Sequence, residues 1–267
     1  LSLNKKGSIA VSLGETNSLI EACTVFESLG FSIDYIPLKK DGKVDISYLD
    51  EKSFDFIFLS SYVMDTFVQV PLQEIKEKTK ATIISNASAN FSSLSDVVYF
   101  DPYKLTGFST SGVILFDGDL FEQKSFAYID LVAVSTILEA LKTQQFNTKM
   151  QEKFKSKLQE VLQDEVYFFV NHEDTLSYTL HFALRDIKAR EIIRTLGLDE
   201  IHITNGEGCS LGLAKPSRII QCMGYDEATS RNALSLSFSE EYDDETIENI
   251  VNKIAKKYKQ IKVLNEQ

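Results

Sequence analysis

Two residues of this sequence have the chemistry and the setting for covalent work, a cysteine and a lysine. Cys209 sits in a polar, glycine-bracketed stretch, Asn205, Gly206, Glu207, Gly208, Cys209, Ser210, Leu211, Gly212. A thiolate is a strong nucleophile, and such a loop gives it both freedom and access. The competing reading is a small buried hydrophobe, the usual fate of a free cysteine, and for Cys209 the two stay open. Cys23 and Cys222 fall on apolar helix faces and are read as packing residues. Lys104 follows a strand-like run and precedes a turn with Gly107 and Gly112. By spacing alone it is a solvated loop lysine. The three histidines, His172, His181 and His202, have no metal-ligand spacing, so no metal site is expected.

These groups need a scaffold, and the hydrophobic periods outline one. Apolar, β-branched or aromatic runs at 8–13, 31–38, 54–59, 81–85, 97–100 and 112–116 predict strands. A 3.6-residue stripe at Leu19, Ile20, Cys23, Phe26 and Leu29 predicts a helix over 18–29, and Pro71 opens another to about residue 79. Strands separated by helices predict a mainly parallel, doubly wound sheet. Farther on, helices are expected at 129–141, 150–162, 187–196, 218–224 and 244–257, with strands at 166–170, 178–182 and 233–238. The last helix carries Ile247, Ile250, Val251, Ile254 and Tyr258 on one stripe, acidic residues at its start and lysines at its end. The organisation expected is a large α/β domain over 1–122, then a linking helix and a small α+β domain over 123–267.

Composition narrows the function classes. The 267 residues carry a formal net charge of -11, which disfavours nonspecific binding to nucleic acid or an anionic membrane. No apolar run approaches the roughly 18 to 20 residues that span a bilayer, and no signal-peptide pattern opens the chain. Three cysteines without CxxC spacing argue for a reducing, cytoplasmic setting. The chain opens on Leu1, and a preceding segment is expected.

In order, the segments resemble the cysteine desulfurases, the NifS-like members of the class V aminotransferases. The resemblance rests on the cysteine stretch, the Pro216-Ser217 helix start after it, and Lys104 in Asp101, Pro102, Tyr103, Lys104, where the family has Ser-x-His-Lys. Glu15-Thr16 resembles the family's Glu-His, Asn86-Ala87 its Asp-Ala strand end, and Val68, Gln69, Val70, Pro71 the start of its next helix. The resemblance implies a fold-type-I pyridoxal-phosphate architecture: a mixed, mainly parallel large-domain sheet with a small α+β C-terminal domain. It implies a homodimer, pyridoxal phosphate as cofactor, Lys104 as its Schiff-base lysine and Cys209 as the persulfide-forming thiol. It places Thr16, Asn86 and Tyr103 around the cofactor.

Several positions depart from that pattern. Asn86 replaces the carboxylate that protonates the pyridine nitrogen, and Thr16 replaces the histidine that stacks on the ring. Asp101 and Tyr103 stand where the family has serine and histidine, Ala89 where it has glutamine, Ser235 where it has the substrate-binding arginine. Tyr62, Val63 and Met64 replace Asn-Asn-Glu. The phosphate-cradling Ser-Gly-Ala-Thr-Glu loop and the Arg-x-Gly-Thr motif have no counterpart. A carboxylate at Asp101 beside a phosphate dianion is a like-charge contact. The expectation is therefore a NifS-like homologue with a degenerate site, inactive or weakly active, serving as a structural or regulatory partner. The rivals are a working pyridoxal-dependent sulfur transferase passing sulfur to an acceptor protein, and a cofactor-free thiol protein using Cys209 alone.

Overall fold

The computed structural model describes residues 7–108, 110–118, 120, 129–206 and 215–265. The chain divides into two units. The first comprises 1–37, 44–62 and 70–144, and the second 38–43, 63–69 and 145–267.

The first unit is built on strands β1 (Ile9–Ser12), β2 (Ile33–Ile36), β3 (Phe56–Phe58), β4 (Thr82–Asn86), β5 (Val97–Phe100) and β6 (Val113–Phe116). They form one sheet in the order β2-β1-β3-β4-β5-β6. The first five are parallel and β6 runs antiparallel to β5. β1 is buried along its whole length, as a strand inside a parallel sheet must be, which is why it reads as a nearly continuous apolar run. Helices α1 (Asn17–Ser28), α2 (Leu72–Lys78), α3 (Pro102–Thr106) and α4 (Leu131–Thr143) fill the connections. Leu19 and Ile20 of α1 pack on Ile9, Val11, Cys23 and Phe31, but Phe26 and Leu29 of the predicted stripe are exposed. Ile137 and Leu141 of α4 pack with Val98 and Phe100 of β5, so that helix belongs to this unit. The order reverses at β1, with β2 on one side and β3 on the other. In open parallel sheets the crevice beyond the carboxyl ends of strands at such a reversal is where ligands bind.

The second unit holds α5 (Met150–Leu162), β7 (Val166–Tyr167), β8 (Thr179–Leu184), α6 (Ala189–Gly197), α7 (Arg218–Cys222), α8 (Glu227–Ser230), β9 (Ala233–Ser237) and α9 (Asp244–Asn265). β7, β8 and β9 form an antiparallel sheet in that order. Leu158, Phe182, Ile192, Leu234, Val251 and Ile254 lie in its core. The predicted stripe of α9 is buried at Ile247, Val251, Ile254 and Tyr258 and half-buried at Ile250. The helix runs past 257 because Ile261 continues the buried face. β7 is shorter than the predicted 166–170. Asn171 accepts a hydrogen bond from the Glu173 backbone and starts a tight 3-10 turn over His172–Asp174, which takes the chain off the sheet. No helix among the described residues is long and apolar enough to cross a membrane.

Candidate active site at the strand ends

The loops after β1, β3, β4 and β5 carry polar side chains in steps across the sheet. The Ser60 backbone N–H donates to Glu15 Oε1 at 2.5 Å. The Asn86 N–H donates to Ser60 Oγ at 3.1 Å, and the Ser88 N–H to Asn86 Oδ1 at 2.9 Å. The Asp101 N–H donates to Ser88 Oγ at 2.7 Å, and the Tyr103 N–H to Asp101 Oδ1 at 3.0 Å. Each side chain satisfies a backbone donor left over where a strand ends. The result is a row of side-chain-to-backbone bonds running from β1 to the start of α3.

Burial sets the electrostatics of this row. Glu15 and Asn86 are almost inaccessible. Loss of solvent pushes the Glu15 carboxyl upward, opposed by its bond from Ser60 and by the charge of Lys104. Burial likewise pushes the Tyr99 phenol far up, with the Asn86 amide beside it acting in the other direction.

The sequence-predicted site residues divide accordingly. Thr16 is buried and accepts from the Leu19 N–H at 3.3 Å, so its hydroxyl is the N-cap of α1. Asn86 closes the turn to Ser88. Tyr103 and Lys104 do not lie in a loop. They lie on α3, because Asp101 caps its start, Pro102 favours its first turn and Gly107 ends it in the left-handed conformation. Both side chains are exposed. Lys104 lines an open cleft of about 450 Å³ with Phe108, Thr136, Glu139 and Gln144. Cys209 lies outside the described residues. Among the described residues no His, Cys, Asp and Glu group could hold a metal ion.

Sequence reasoning missed Ser60, Ser88 and Tyr99. The spacing Asn86-x-Ser88 was an available signal, since an asparagine often bonds the backbone two residues on. Ser60 had none, because its role depends on the neighbouring strand ends. In the second unit Ser235 is buried and donates to the Asp65 carbonyl at 3.2 Å. His181, opposite it on β8, is buried beside Phe169. Its Nδ1 has no hydrogen-bond partner among the described residues, and burial pulls its pKa down to about 3.

Neither a family model nor a curated protein matches the sequence. Solved structures do match. A NifS-like protein superposes with a TM-score of 0.74 at 18% identity, over 94% of this chain and 75% of that one. A NifS-like protein from Rickettsia africae ESF-5 gives 0.72 at 15% identity, over 95% and 76%. A cysteine desulfurase from Thermococcus onnurineus NA1, in its apo form, gives 0.67 at 15% identity, over 96% and 74%. With its mainly parallel sheet, antiparallel sixth strand and separate α+β unit, this chain has the fold of the NifS-like proteins, the mixed α/β fold of the pyridoxal-phosphate-dependent transferases.

Proposed function

We propose that this protein is a NifS-like relative of the cysteine desulfurases whose pyridoxal site has degenerated, and that it acts as a structural or regulatory partner. The observation that carries the reading is the row of bonds across the strand ends. Pyridoxal catalysis needs a carboxylate on the pyridine nitrogen, a stacking ring and a phosphate cradle. At those positions Asn86 has no charge and its Oδ1 accepts from Ser88. Thr16 caps α1, and Asp101 sets a carboxylate where the phosphate side of the resemblance falls, already engaged by the Tyr103 N–H. These residues do not fit pyridoxal phosphate. By the same resemblance the protein is a homodimer whose partner is a sulfur-accepting or regulatory protein, and its cysteine usage fits a reducing cytoplasm.

The rival reading is a working sulfur transferase with Lys104 as Schiff-base lysine and Cys209 as sulfur carrier. It draws on the exposure of Lys104 and on its field at Glu15. An absorbance titration with pyridoxal phosphate separates the two. The expected result is no saturable near-ultraviolet to visible band that depends on Lys104. A band in the wild type that disappears in Lys104→Ala overturns the degenerate-site reading. Sulfide release from cysteine that Cys209→Ser abolishes then establishes the rival.

A further inference from the structure

Helix α4 is apolar on two sides. Ala133 and Ile137 are buried, and Ile137 packs with Val98 and Phe100 of β5. That stripe holds the helix on the sheet. Leu131, Val134 and Leu138, spaced by three and four residues, form a second stripe. These three are 71%, 42% and 51% exposed. Val132 beside them is 65% exposed, and Ile129 just before the helix is 64% exposed. A helix that meets water on one side carries polar residues there, whereas one that is apolar on both sides is buried on both. Contiguous exposed apolar surface of this kind marks an interaction site.

Charge identifies what covers it. From 129 to 143 the charged residues are Asp130, Glu139 and Lys142, so the stripe is nearly neutral in a chain of formal net charge -11. A basic partner would be drawn elsewhere on so acidic a chain. A second copy is repelled by most of that surface and least repelled at a neutral stripe. The stripe also complements itself. Asp130 caps the start of α4, and Lys142 lies in its last turn. Two copies of the helix laid antiparallel about a twofold axis bring the acidic start of each beside the basic end of the other. They also oppose the two helix dipoles and set Val134 of one copy facing Leu138 of the other. We propose that the outer stripe of α4 is an interface between two copies of this chain, with the two helices packed side by side and antiparallel. The inference rests on the homodimer of the functional reading and adds where that contact lies.

Sedimentation velocity on the full chain, over a series of micromolar concentrations, tests it. The wild type is expected to sediment as a dimer. Leu131→Glu and Leu138→Glu each set a charge in the stripe at a position exposed in the single chain. Each is expected to weaken dimerisation at least about thirtyfold, as removal of a central interface anchor does. Ser135→Arg lies on the same side of the helix and is exposed. It blocks the contact by bulk and serves if a stripe variant does not fold. Val25→Glu is the control, because Val25 is apolar and 59% exposed but lies on α1, and its dimer is expected to match the wild type. A dimeric wild type whose stripe variants stay within about threefold of its affinity overturns the proposal and leaves the homodimer reading standing. A monomeric wild type overturns both and leaves the stripe to a different partner. Equal loss of pairing in Val25→Glu also overturns the proposal, since the association is then non-specific.

Discussion

Each unit buries a polar network, and the two are built differently. In the first, the bonds run in short steps from one strand end to the next, from Glu15 through Ser60, Asn86 and Ser88 to Asp101. In the second, Asp65 alone joins Ser217, 152 residues away, and Ser235, 170 residues away. A stepwise row spreads its bonds over many residues, so one deletion leaves the others in place. A single hub concentrates them. The two units also bury ionisable groups of opposite kind. Burial pushes Glu15 up and His181 down, and in both cases the neutral form is the one folding favours.

The sharpest test of that contrast is pH, since acid moves the two units in opposite directions. Glu15 has a folded pKa above its ordinary value of 4.5. The folded state holds that proton longer, so the stability this carboxyl contributes is present below about pH 4.5 and is lost as pH rises through the folded value. Glu15→Gln keeps an acceptor for the Ser60 N–H without the charge. It is expected to stabilise the first unit at neutral pH, where the buried charge is costly, with the gain vanishing near pH 4. Hydrogen exchange of β1 and β3 peptides at the two pH values measures this. An equal effect at both pH values means that the carboxyl is already neutral at pH 7 or that the change acts through packing.

His181 has the opposite sign. Its folded pKa falls from 6.5 to about 3. The unfolded state binds the proton first, so the stability contributed by the neutral imidazole is present above about pH 6.5 and is lost as pH falls toward 3. Roughly 2 kcal/mol should be gone from the second unit by about pH 5. His181→Gln should flatten this acid limb in exchange measurements on β8 and β9. If β8 and β9 show the same acid sensitivity in the variant, the ring is not the group that titrates.

The smallest expected effect belongs to the stepwise row. Ser88→Ala removes one acceptor, that of the Asp101 N–H, and should cost about 1 kcal/mol. The other steps should stay in place, with amide exchange at Ser60 and Asn86 unchanged. A loss that spreads to those amides would make the row as concentrated as the Asp65 hub.

Some of this was legible from residue order. The buried runs of β1, β3 and β4 and the stripes of α1 and α9 have periods set by backbone geometry, so a local window contains them. The caps at Thr16 and Asp101 are local too, since an N-cap bonds the backbone within three residues. α3 was not recognised, although Asp101, Pro102 and Gly107 are its start and stop signals. The pattern of a strand followed by a functional lysine led to a loop being expected there. β7 came out shorter because the turn begun by Asn171 overrode an apolar run.

By itself the sequence determined the alternation of strands and helices and the sheet's mainly parallel character. Those depend on side-chain type and short-range period, which the order of residues contains completely. Only the tertiary structure decided what the remaining polar residues do. It joined Ser60 to Glu15 and Asn86, enclosed His181 in the second unit, and brought Gly206, Ser217 and Ser235 onto Asp65. The physical reason is range. A buried polar group must find a partner somewhere, but which one it finds depends on how distant segments pack.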